Sequence, residues 1–301
     1  MVPNNINTQK RLRPDSATGD VPPEKKKRVV VHTMSLLQWG ILCKDNGIKF
    51  KGLRADRPRP EPIHHSWFAS GLRSELIRAV DPTGDRGPLP MQMVAVPLGV
   101  QARDLIALCA PVSSKISAYL LPMLQHISQS ELFERRRRVW SPPLALVVVP
   151  NRDLAEKVVR VMKRLSHDLR HVMVSSIMDD GLSIKEHALE LRRGSHVVVG
   201  TVGQLGKCLL ETRLLMMKEC GYLIMDEPDN MMRTGFDKEI EAILKAMPRW
   251  RRTIHMYTET MPMSLERLAK KYLRGPINVS VDKAVSMEKA LQRRAAEKVQ
   301  K

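Results

Sequence analysis

The sequence has no long apolar run, few cysteines and an uneven balance of charge. None of its apolar stretches approaches the roughly eighteen residues that span a bilayer, so we expect no membrane-spanning segment and no membrane partner. Its polar, Asn-rich start carries no apolar segment after the first basic residues, so we expect no secretory signal. The four cysteines lack CxxC spacing, which predicts reduced thiols rather than a metal site or a disulfide framework.

Acidic residues are scarce relative to basic ones. The 301 residues include 50 Lys and Arg against 32 Asp and Glu, a formal net charge of +18. The first sixty residues alone carry thirteen Lys and Arg against five Asp and Glu. This excess favours a polyanionic partner such as nucleic acid, because neutralised phosphates release counterions. A basic tail on an ordinary soluble protein is the alternative.

The beginning of the chain lacks the periodicity of a core-forming segment. Residues 1 to about 35 mix Asn, Pro, Asp and basic residues, which is typical of disorder. Within them, Pro22–Val29 resembles a nuclear localisation signal, with Lys10-Arg11 as a possible second basic element, although such runs also occur as solvated tails. We therefore predict a basic, mostly disordered segment over 1–58, a folded domain over 59–285 and a charged helical tail over 286–301.

From residue 100 onward, short apolar runs alternate with segments of helical spacing. This alternation is typical of buried parallel strands joined by crossover helices. It predicts an α/β fold, a single doubly wound sheet with helices on both faces and with ligands at the carboxyl ends of its strands. The expected strands are Leu105–Leu108, Leu144–Val149, Val172–Ile177, His196–Val199, Tyr222–Met225, Thr253–Tyr257 and Ile277–Val281, and the clearest expected helices are Asp153–Leu165, Ile184–Arg193 and Asp237–Met247.

One expected strand ends in two adjacent carboxylates, Asp226 and Glu227. In phosphate-handling α/β domains, an Asp at this point holds Mg²⁺ and a following Glu orients the attacking water. A polar strand end is common, so the pair alone is weak evidence.

Several motifs in a fixed order make the pattern specific. Asp226–Asp229 resembles the D-E-A-D motif of the DEAD-box RNA helicases, and further elements resemble that family in its own order. They are Pro88–Gln92 with the preceding Trp67, Pro150–Ala155, the stretch from Gly181 through Gly194 to Thr201–Leu205, Met231–Phe236, Thr258–Pro262 and Leu265–Ala269. The chain is most similar to the branch that acts in pre-mRNA splicing.

The resemblance implies a RecA-like domain that binds ATP, Mg²⁺ and RNA, in the nucleus, with spliceosomal proteins as possible partners. It assigns Mg²⁺ to Asp226 and the catalytic base to Glu227. It implies nucleotide contacts at Trp67, Gln92, Ser113, Ser114 and Lys115, RNA contacts at Pro150, Arg152, Gly181, Thr201 and Gly203, and coupling between motifs at Asp229, Thr258 and Thr260.

The phosphate-binding loop departs from the family pattern. Cys109–Ile116 aligns with A-x-T-G-S-G-K-T, so both glycines are missing. The loop needs glycine because its backbone must approach phosphate closely in conformations that residues with a Cβ resist. Val112 is β-branched, and Ile116 replaces the Thr hydroxyl that coordinates Mg²⁺. Lys115 survives, either as a phosphate ligand or as an ordinary surface lysine.

Two functions remain open from the sequence. The first is an ATP-dependent RNA helicase-like enzyme with impaired or no autonomous ATPase and unwinding activity. The second is a non-catalytic RNA- or spliceosome-binding scaffold derived from a helicase domain. The family's second RecA-like domain, whose arginines stabilise the transferring phosphoryl group, is not recognisable here, and a separate chain is a possible source of it.

Overall fold

The apolar runs predicted as strands form the parallel part of an eight-stranded sheet. The computed structural model places the strands in the order β1-β8-β2-β7-β6-β3-β5-β4, with β2 to β8 mutually parallel. The predicted α/β class with one doubly wound sheet is confirmed. The strands are β1 Ile48–Lys51, β2 Leu105–Leu108, β3 Ala145–Val149, β4 Val174–Ile177, β5 Val197–Thr201, β6 Tyr222–Asp226, β7 Thr253–Thr258 and β8 Ile277–Val281.

The structure describes residues 35–51, 66–84, 87–110, 114–135, 141–169, 172–179, 181, 184–192, 194–250 and 252–299. The basic run Pro22–Val29 and residues 111–113 of the phosphate-binding loop, which include Ser113, lie outside these ranges.

The folded domain begins earlier than residue 59. Within 1–58, which the sequence assigned to a mostly disordered segment, Leu36–Asp45 forms a helix and Ile48–Lys51 forms β1. Ser35 caps the helix in a capping box with Gln38, a local signal for a helix start. Because β1 pairs with β8 in the antiparallel sense, the sheet is mixed rather than wholly parallel.

Helices cover both faces of the sheet. Among the described residues they are α1 Leu36–Asp45, α2 Ser74–Val80, α3 Pro90–Val100, α4 Ser114–Ser128, α5 Glu131–Arg135, α6 Arg152–Leu165, α7 Ile184–Arg192, α8 Val202–Leu210, α9 Pro228–Arg233, α10 Asp237–Ala246, α11 Met263–Tyr272 and α12 Lys283–Val299, with a 3₁₀ helix at Trp67–Ser70. The predicted helices are therefore present, and α12 begins before residue 286, where the sequence places the start of the tail. In the described part of the chain, none is long and apolar enough to cross a membrane.

Alternate residues of each central strand enter two separate cores. Leu146, Val148 and Leu223 belong to the core on one face, whereas Val147 and Ile224 belong to the core on the other. This separation follows from the two-residue period of a strand. Continuous apolar runs therefore indicate strands that are covered on both sides.

A buried polar cluster lies beneath the sheet's amino-terminal edge. His255 of β7 is fully buried, and its Nε2 lies 3.0 Å from the carbonyl oxygen of Arg103, which accepts the ring N–H. The hydroxyls of Tyr222 and Tyr257 each lie 3.4 Å from Nδ1, the ring nitrogen that carries the lone pair in this tautomer. Burial lowers the pKa of His255 from 6.5 to about 4, so the neutral ring is the form that packs here.

Acidification is expected to weaken the fold through His255. The pKa of His255 is about 4 in the folded chain and near 6.5 when the chain is unfolded. The contribution of the neutral ring to stability is therefore fully present above pH 6.5 and is lost as the pH falls toward 4. The full loss corresponds to about 3 kcal/mol. Urea unfolding at pH 7 and pH 5 should show about 2 kcal/mol of it, because pH 5 is still above the folded pKa. His255→Gln should flatten the difference, whereas His167→Gln at an exposed site should retain it. Equal pH dependence in all three proteins would contradict the account.

Candidate functional site

The strand order divides the carboxyl edge of the sheet into two halves. The neighbouring strands β2, β7 and β6 lead into Lys115, Thr258 and Asp226, which carry the nucleotide and coupling assignments. The neighbouring strands β3, β5 and β4 lead into the segments assigned to RNA. Because parallel strands end at one edge, each group of residues is assembled from loops that are distant in sequence.

A buried carboxylate lies at the centre of the first half. The side chain of Asp226, the last residue of β6, is 0% exposed. Its Oδ1 lies 2.7 Å from Nζ of Lys115, and its Oδ2 accepts a hydrogen bond of 3.0 Å from the Tyr119 hydroxyl. Nζ of Lys115 also lies 3.6 Å from Oε1 of Glu227. Both oxygens of Asp226 therefore face protein donors, and we call Lys115, Tyr119 and Asp226 the carboxylate cluster.

Charge holds the carboxylate cluster together. Burial is the largest single influence and would lower the pKa of Lys115, but Asp226 and the weaker influence of Glu227 together outweigh it and raise that pKa above its usual value. Full burial raises the pKa of Asp226, although Lys115 and Tyr119 oppose the shift. Removing either partner would leave a charge in a site from which water is excluded, which is costly.

The alternative interpretation of Lys115 as a surface residue is wrong. Its side chain is 4% exposed. It lies in the first turn of α4, directly after the loop that follows β2, and this position brings it to the end of β6. The ion pair with Asp226 uses the lysine that the resemblance assigned to phosphate.

The Gln92 amide is also bonded within the protein. Its Nε2 donates to Ser117 Oγ at 2.7 Å and to the Ser114 carbonyl at 3.3 Å, and its Oε1 accepts from the Leu89 backbone at 2.8 Å. The side chain is buried. Gln92 thus ties the start of α3 to the first turn of α4, with three of its hydrogen-bonding positions occupied.

Trp67 and Phe68 differ sharply in exposure. Trp67, the aromatic residue that the sequence assigned to the nucleotide, is 1% exposed and belongs to one of the two hydrophobic cores. Phe68 is 74% exposed. The structure therefore gives Trp67 a packing role, and its nucleotide contact stays a prediction.

Glu227 lies beside the cluster in an uncommon backbone conformation. Its φ of 60° lies in the left-handed region, which is rare for residues other than glycine. Its N–H donates to the Tyr257 carbonyl at 2.8 Å, and its Oε2 accepts from Asn230 at 3.4 Å. Pro228 follows as the first residue of α9, where the missing N–H has no intrahelical partner to lose. The strand-to-helix turn thus aims Glu227 toward Lys115.

The coupling residues are in direct contact. Oδ2 of Asp229 accepts hydrogen bonds from the backbone N–H of Thr260 at 2.9 Å and from its hydroxyl at 2.7 Å. Burial opposes ionisation, but the hydrogen bonds from Thr260 and Thr258 outweigh it and hold the pKa of Asp229 below its usual value. The Thr258 hydroxyl donates to the Thr260 carbonyl at 2.7 Å. The loops after β6 and β7 are therefore joined.

The residues assigned to RNA follow three neighbouring strands. Pro150 and Arg152 follow β3, Gly181 follows β4, and Thr201 ends β5 with Gly203 in the first turn of α8. Gly181 has a φ of +84° and open space around it, so its backbone is accessible. Nε of Arg152 lies 2.7 Å from Oε1 of Glu156 in an exposed ion pair. These positions form one continuous edge, which we call the RNA-facing edge.

Two contacts fix the spacing of this edge. The Gln204 side chain donates to Oδ1 of Asp179 at 3.2 Å, which links the start of α8 to the loop after β4. At Gly200 of β5, a Cβ would lie 2.5 Å from the carbonyl oxygen of Ile177 in β4 and 2.8 Å from Leu205 of α8, so a side chain there would force these elements apart. The edge is therefore built on closely packed strands.

Comparison with known proteins decides the family. The family model described as DEAD/DEAH box helicase matches residues 89–268. The chain belongs to this family. It is 33% identical to the pre-mRNA-splicing ATP-dependent RNA helicase prp28 of Aspergillus clavatus, over 93% of this chain and 36% of that protein. It is 34% identical to DEAD-box ATP-dependent RNA helicase 21 of Oryza sativa subsp. japonica, over 83% of this chain and 35% of that protein.

Solved DEAD-box structures show the same fold. The crystal structure of the RNA helicase Prp28 from Chaetomium thermophilum bound to ADP matches with a TM-score of 0.71 at 35% identity, over 84% of this chain and 58% of that chain. The yeast DEAD-box splicing factor Prp28 matches with a TM-score of 0.72 at 26% identity, with the same coverage. The resemblance to the splicing branch and the RecA-like fold are thus confirmed. The chain spans about a third of the length of the curated relatives.

The family implies ATP and Mg²⁺, but the residues present do not fit a magnesium nucleotide. The metal-directed carboxylate of Asp226 faces Lys115 and Tyr119 on its two oxygens. Ile116, at the position of the metal-binding Thr, is a buried apolar side chain. Among the described residues, no group of three or more His, Cys, Asp or Glu could hold a metal ion. A nucleotide would have to break a buried ion pair without gaining the usual hydroxyl ligand.

Sequence reasoning missed two members of this site, Tyr119 and Ser117. Tyr119 was passed over because it lies in the apolar stretch Ala118–Pro122, where an aromatic residue ordinarily fills a core. Its hydroxyl gave the available signal, since a buried Tyr needs a hydrogen-bond partner. Ser117 follows Ile116 directly, and its hydroxyl accepts from Gln92 and donates to the Ser114 carbonyl.

Removing Lys115 is expected to destabilise the fold strongly. Lys115→Met would leave the Asp226 carboxylate buried beside Tyr119 alone, which costs about 3–5 kcal/mol. Lys270→Met removes a lysine from the exposed ion pair with Glu266, and its effect should stay within about 0.5 kcal/mol. Urea unfolding of both variants measures the difference. Equal stabilities for the two would show that the buried pair does not form.

A smaller effect is expected from the Tyr119 hydroxyl. Tyr119→Phe keeps the ring packing against Tyr257, whose centroid lies 5.2 Å away, but removes the donor to Asp226. The expected loss in the free energy of unfolding is about 1–3 kcal/mol, because Oδ2 of the buried Asp226 carboxylate is left without its hydrogen-bond donor. The matched control is Tyr272→Phe, which removes a half-buried hydroxyl bonded to Glu241. A Tyr119→Phe chain as stable as wild type would contradict the bond.

Proposed function

We propose that this protein is an RNA-binding member of the DEAD-box family that acts in nuclear RNA processing, in particular pre-mRNA splicing, and that its autonomous ATPase and unwinding activity is impaired or lost. The observation that carries the proposal is the carboxylate cluster. Lys115 is ion-paired with one oxygen of the carboxylate that the family uses for the metal, and the Tyr119 hydroxyl donates to the other.

Three further features support impaired nucleotide chemistry. Ile116 supplies no hydroxyl for a metal, and Gln92 is bonded to Ser117 and Ser114. Glu259 stands where the family has the Ala of its S-A-T motif, and its Oε1 lies 3.8 Å from Nζ of Lys283. Phosphoryl transfer depends on the positioning of the reactants and on electrostatic stabilisation of the transition state. The combined absence of several ligands is therefore expected to slow it.

RNA binding has separate support. The RNA-facing edge retains Arg152, the accessible backbone of Gly181 and the start of α8 at Gly203. The net charge of +18 favours a phosphate-rich partner. The splicing context and nuclear location rest on the names of the relatives, which are Prp28 helicases of pre-mRNA splicing, and on the basic run Pro22–Val29.

A scaffold without catalysis is the second candidate, and the same cluster favours it. In that case RNA or spliceosomal proteins bind to the folded domain while its site stays closed. A second helicase domain from a separate chain remains a possible partner. RNA-stimulated ATP turnover upon addition of such a domain would support the enzyme hypothesis. The absence of turnover after its addition would support the scaffold hypothesis.

Calorimetric titration with ATP and Mg²⁺ tests the proposal. The wild-type chain is expected to give no binding heat. A chain with Val112→Gly, Ser114→Gly and Ile116→Thr is expected to bind, because the restored loop amides and metal hydroxyl supply the contacts with which a nucleotide can draw Lys115 away from Asp226. The matched control adds Asp226→Asn to the repaired chain and should abolish this binding.

Two outcomes of the titration are informative beyond the expected one. Micromolar binding to wild type would contradict impaired nucleotide chemistry and would favour an ATP-switched enzyme. If the repaired chain also gives no binding heat and its fold is intact by circular dichroism, the loss of nucleotide binding would be assigned to the carboxylate cluster rather than to the loop.

A further inference from the structure

An exposed tryptophan lies at the opposite edge of the sheet from the carboxylate cluster. Trp250, in the turn between α10 and β7, is 81% exposed, the highest value among the exposed large apolar side chains. Such exposure is unusual for a residue that normally buries most of its area. Single exposed apolar residues need no explanation, so the case for a site depends on what surrounds it.

Arginines surround Trp250. Arg249 precedes it and is exposed, Arg252 follows two residues later, and Arg274 lies in the turn between α11 and β8. Arg249 and Arg274 are near enough to Arg252 that their charges lower its pKa, in addition to the larger effect of burial. We call Arg249, Trp250, Arg252 and Arg274 the tryptophan patch. Arg251 lies outside the described residues.

Hydrogen bonds hold the two turns together. Arg252 Nη2 donates to the Tyr272 carbonyl at 2.5 Å, and Arg274 Nη2 donates to the Arg252 carbonyl. Asp104, directly before β2, accepts from the backbone N–H of Ile254 at 2.9 Å and of Arg274 at 2.6 Å. Contacts within the chain therefore fix the patch to three adjacent strands, β7, β2 and β8.

The patch has more positive than negative charge. Asp104 is buried, and its Oδ2 lies 3.9 Å from Nε of Arg274. Glu241 nearby is engaged by Lys271 and Tyr272. Among the described neighbours, three arginines thus face one buried carboxylate. An anionic partner is favoured, and one with planar rings would also use the exposed indole.

We propose that the tryptophan patch is a second contact site for single-stranded RNA, distinct from the RNA-facing edge. A base stacks on the indole of Trp250, and flanking phosphates contact the guanidinium groups of Arg249 and Arg274. Aromatic stacking with cations beside it is the usual means of binding single strands without sequence preference. Strand β7 separates the two edges by roughly 20 Å, at about 3.3 Å per residue. The two sites can therefore hold different segments of one RNA.

Fluorescence anisotropy of a labelled oligouridine tests the site on the full chain. Trp250→Ala is expected to weaken binding about tenfold, and Trp250→Phe should restore most of it, because a stacking ring is retained. Phe68→Ala removes an equally exposed ring elsewhere and should leave affinity unchanged. Arg249→Gln should lower the slope of log affinity against log salt by about 0.7, the value for one phosphate of a single strand.

Three results would overturn the inference. The first is an unchanged affinity in Trp250→Ala. The second is an equal loss in Phe68→Ala. The third is an oligoglutamate peptide that binds as tightly as the RNA with the same dependence on Trp250, which would make the patch a site for acidic protein segments.

The RNA-facing edge is tested separately with Arg152→Ala. A loss in Trp250→Ala without a loss in Arg152→Ala would leave the tryptophan patch standing and would contradict the RNA-facing edge of the proposed function. The reverse pattern would contradict the patch alone. A wild-type chain that binds no RNA would contradict both.

Discussion

A negative charge without access to water lies at the end of β6, and the surrounding structure depends on how that charge is compensated. Asp226 is fully buried, and Lys115 and Tyr119 meet its two oxygens. The pair also fixes the start of α4 against β6, while Gln92 fixes α3 against the same turn. The buried charge is thus compensated mainly by Lys115, with a hydrogen bond from Tyr119. The family uses this carboxylate for a metal. Here it also supports the fold through protein contacts, so the fold does not depend on metal or nucleotide chemistry.

The family features that this chain keeps and those that it lacks lie on different halves of the carboxyl edge. Near β2, the loop has lost its glycines and the metal-binding hydroxyl, and the residues that remain bond to one another. Along β3, β5 and β4, the backbone that would face RNA is intact, with Gly181 accessible and Gly203 in the first turn of α8. The contact from Asp229 to Thr260 still joins the loops after β6 and β7. Under the proposed function, RNA binding therefore persists while nucleotide chemistry is impaired.

Much of the fold could be predicted because buried parallel strands leave a strong signal. The runs at Leu105–Leu108 and Ile277–Val281 match β2 and β8 residue for residue. Strand β1 was missed because Ile48–Lys51 alternates apolar and charged residues within a basic segment, and its partner β8 lies more than two hundred residues away. The site was assigned through motif order, but side-chain pairing does not follow from it. Neither the burial of Lys115 nor the bond from Tyr119 follows from local pattern, since both depend on packing between α4 and β6.

The central claim is that, without the loop glycines and the metal-binding hydroxyl, a magnesium nucleotide cannot displace Lys115 from Asp226 and therefore does not bind the folded chain. Thermal unfolding of the wild-type chain, with and without saturating ATP and Mg²⁺, tests it most directly, because a ligand that binds only the folded state must raise the melting temperature. The account predicts no change in the melting temperature. A rise that depends on nucleotide concentration and disappears in Asp226→Asn would contradict it.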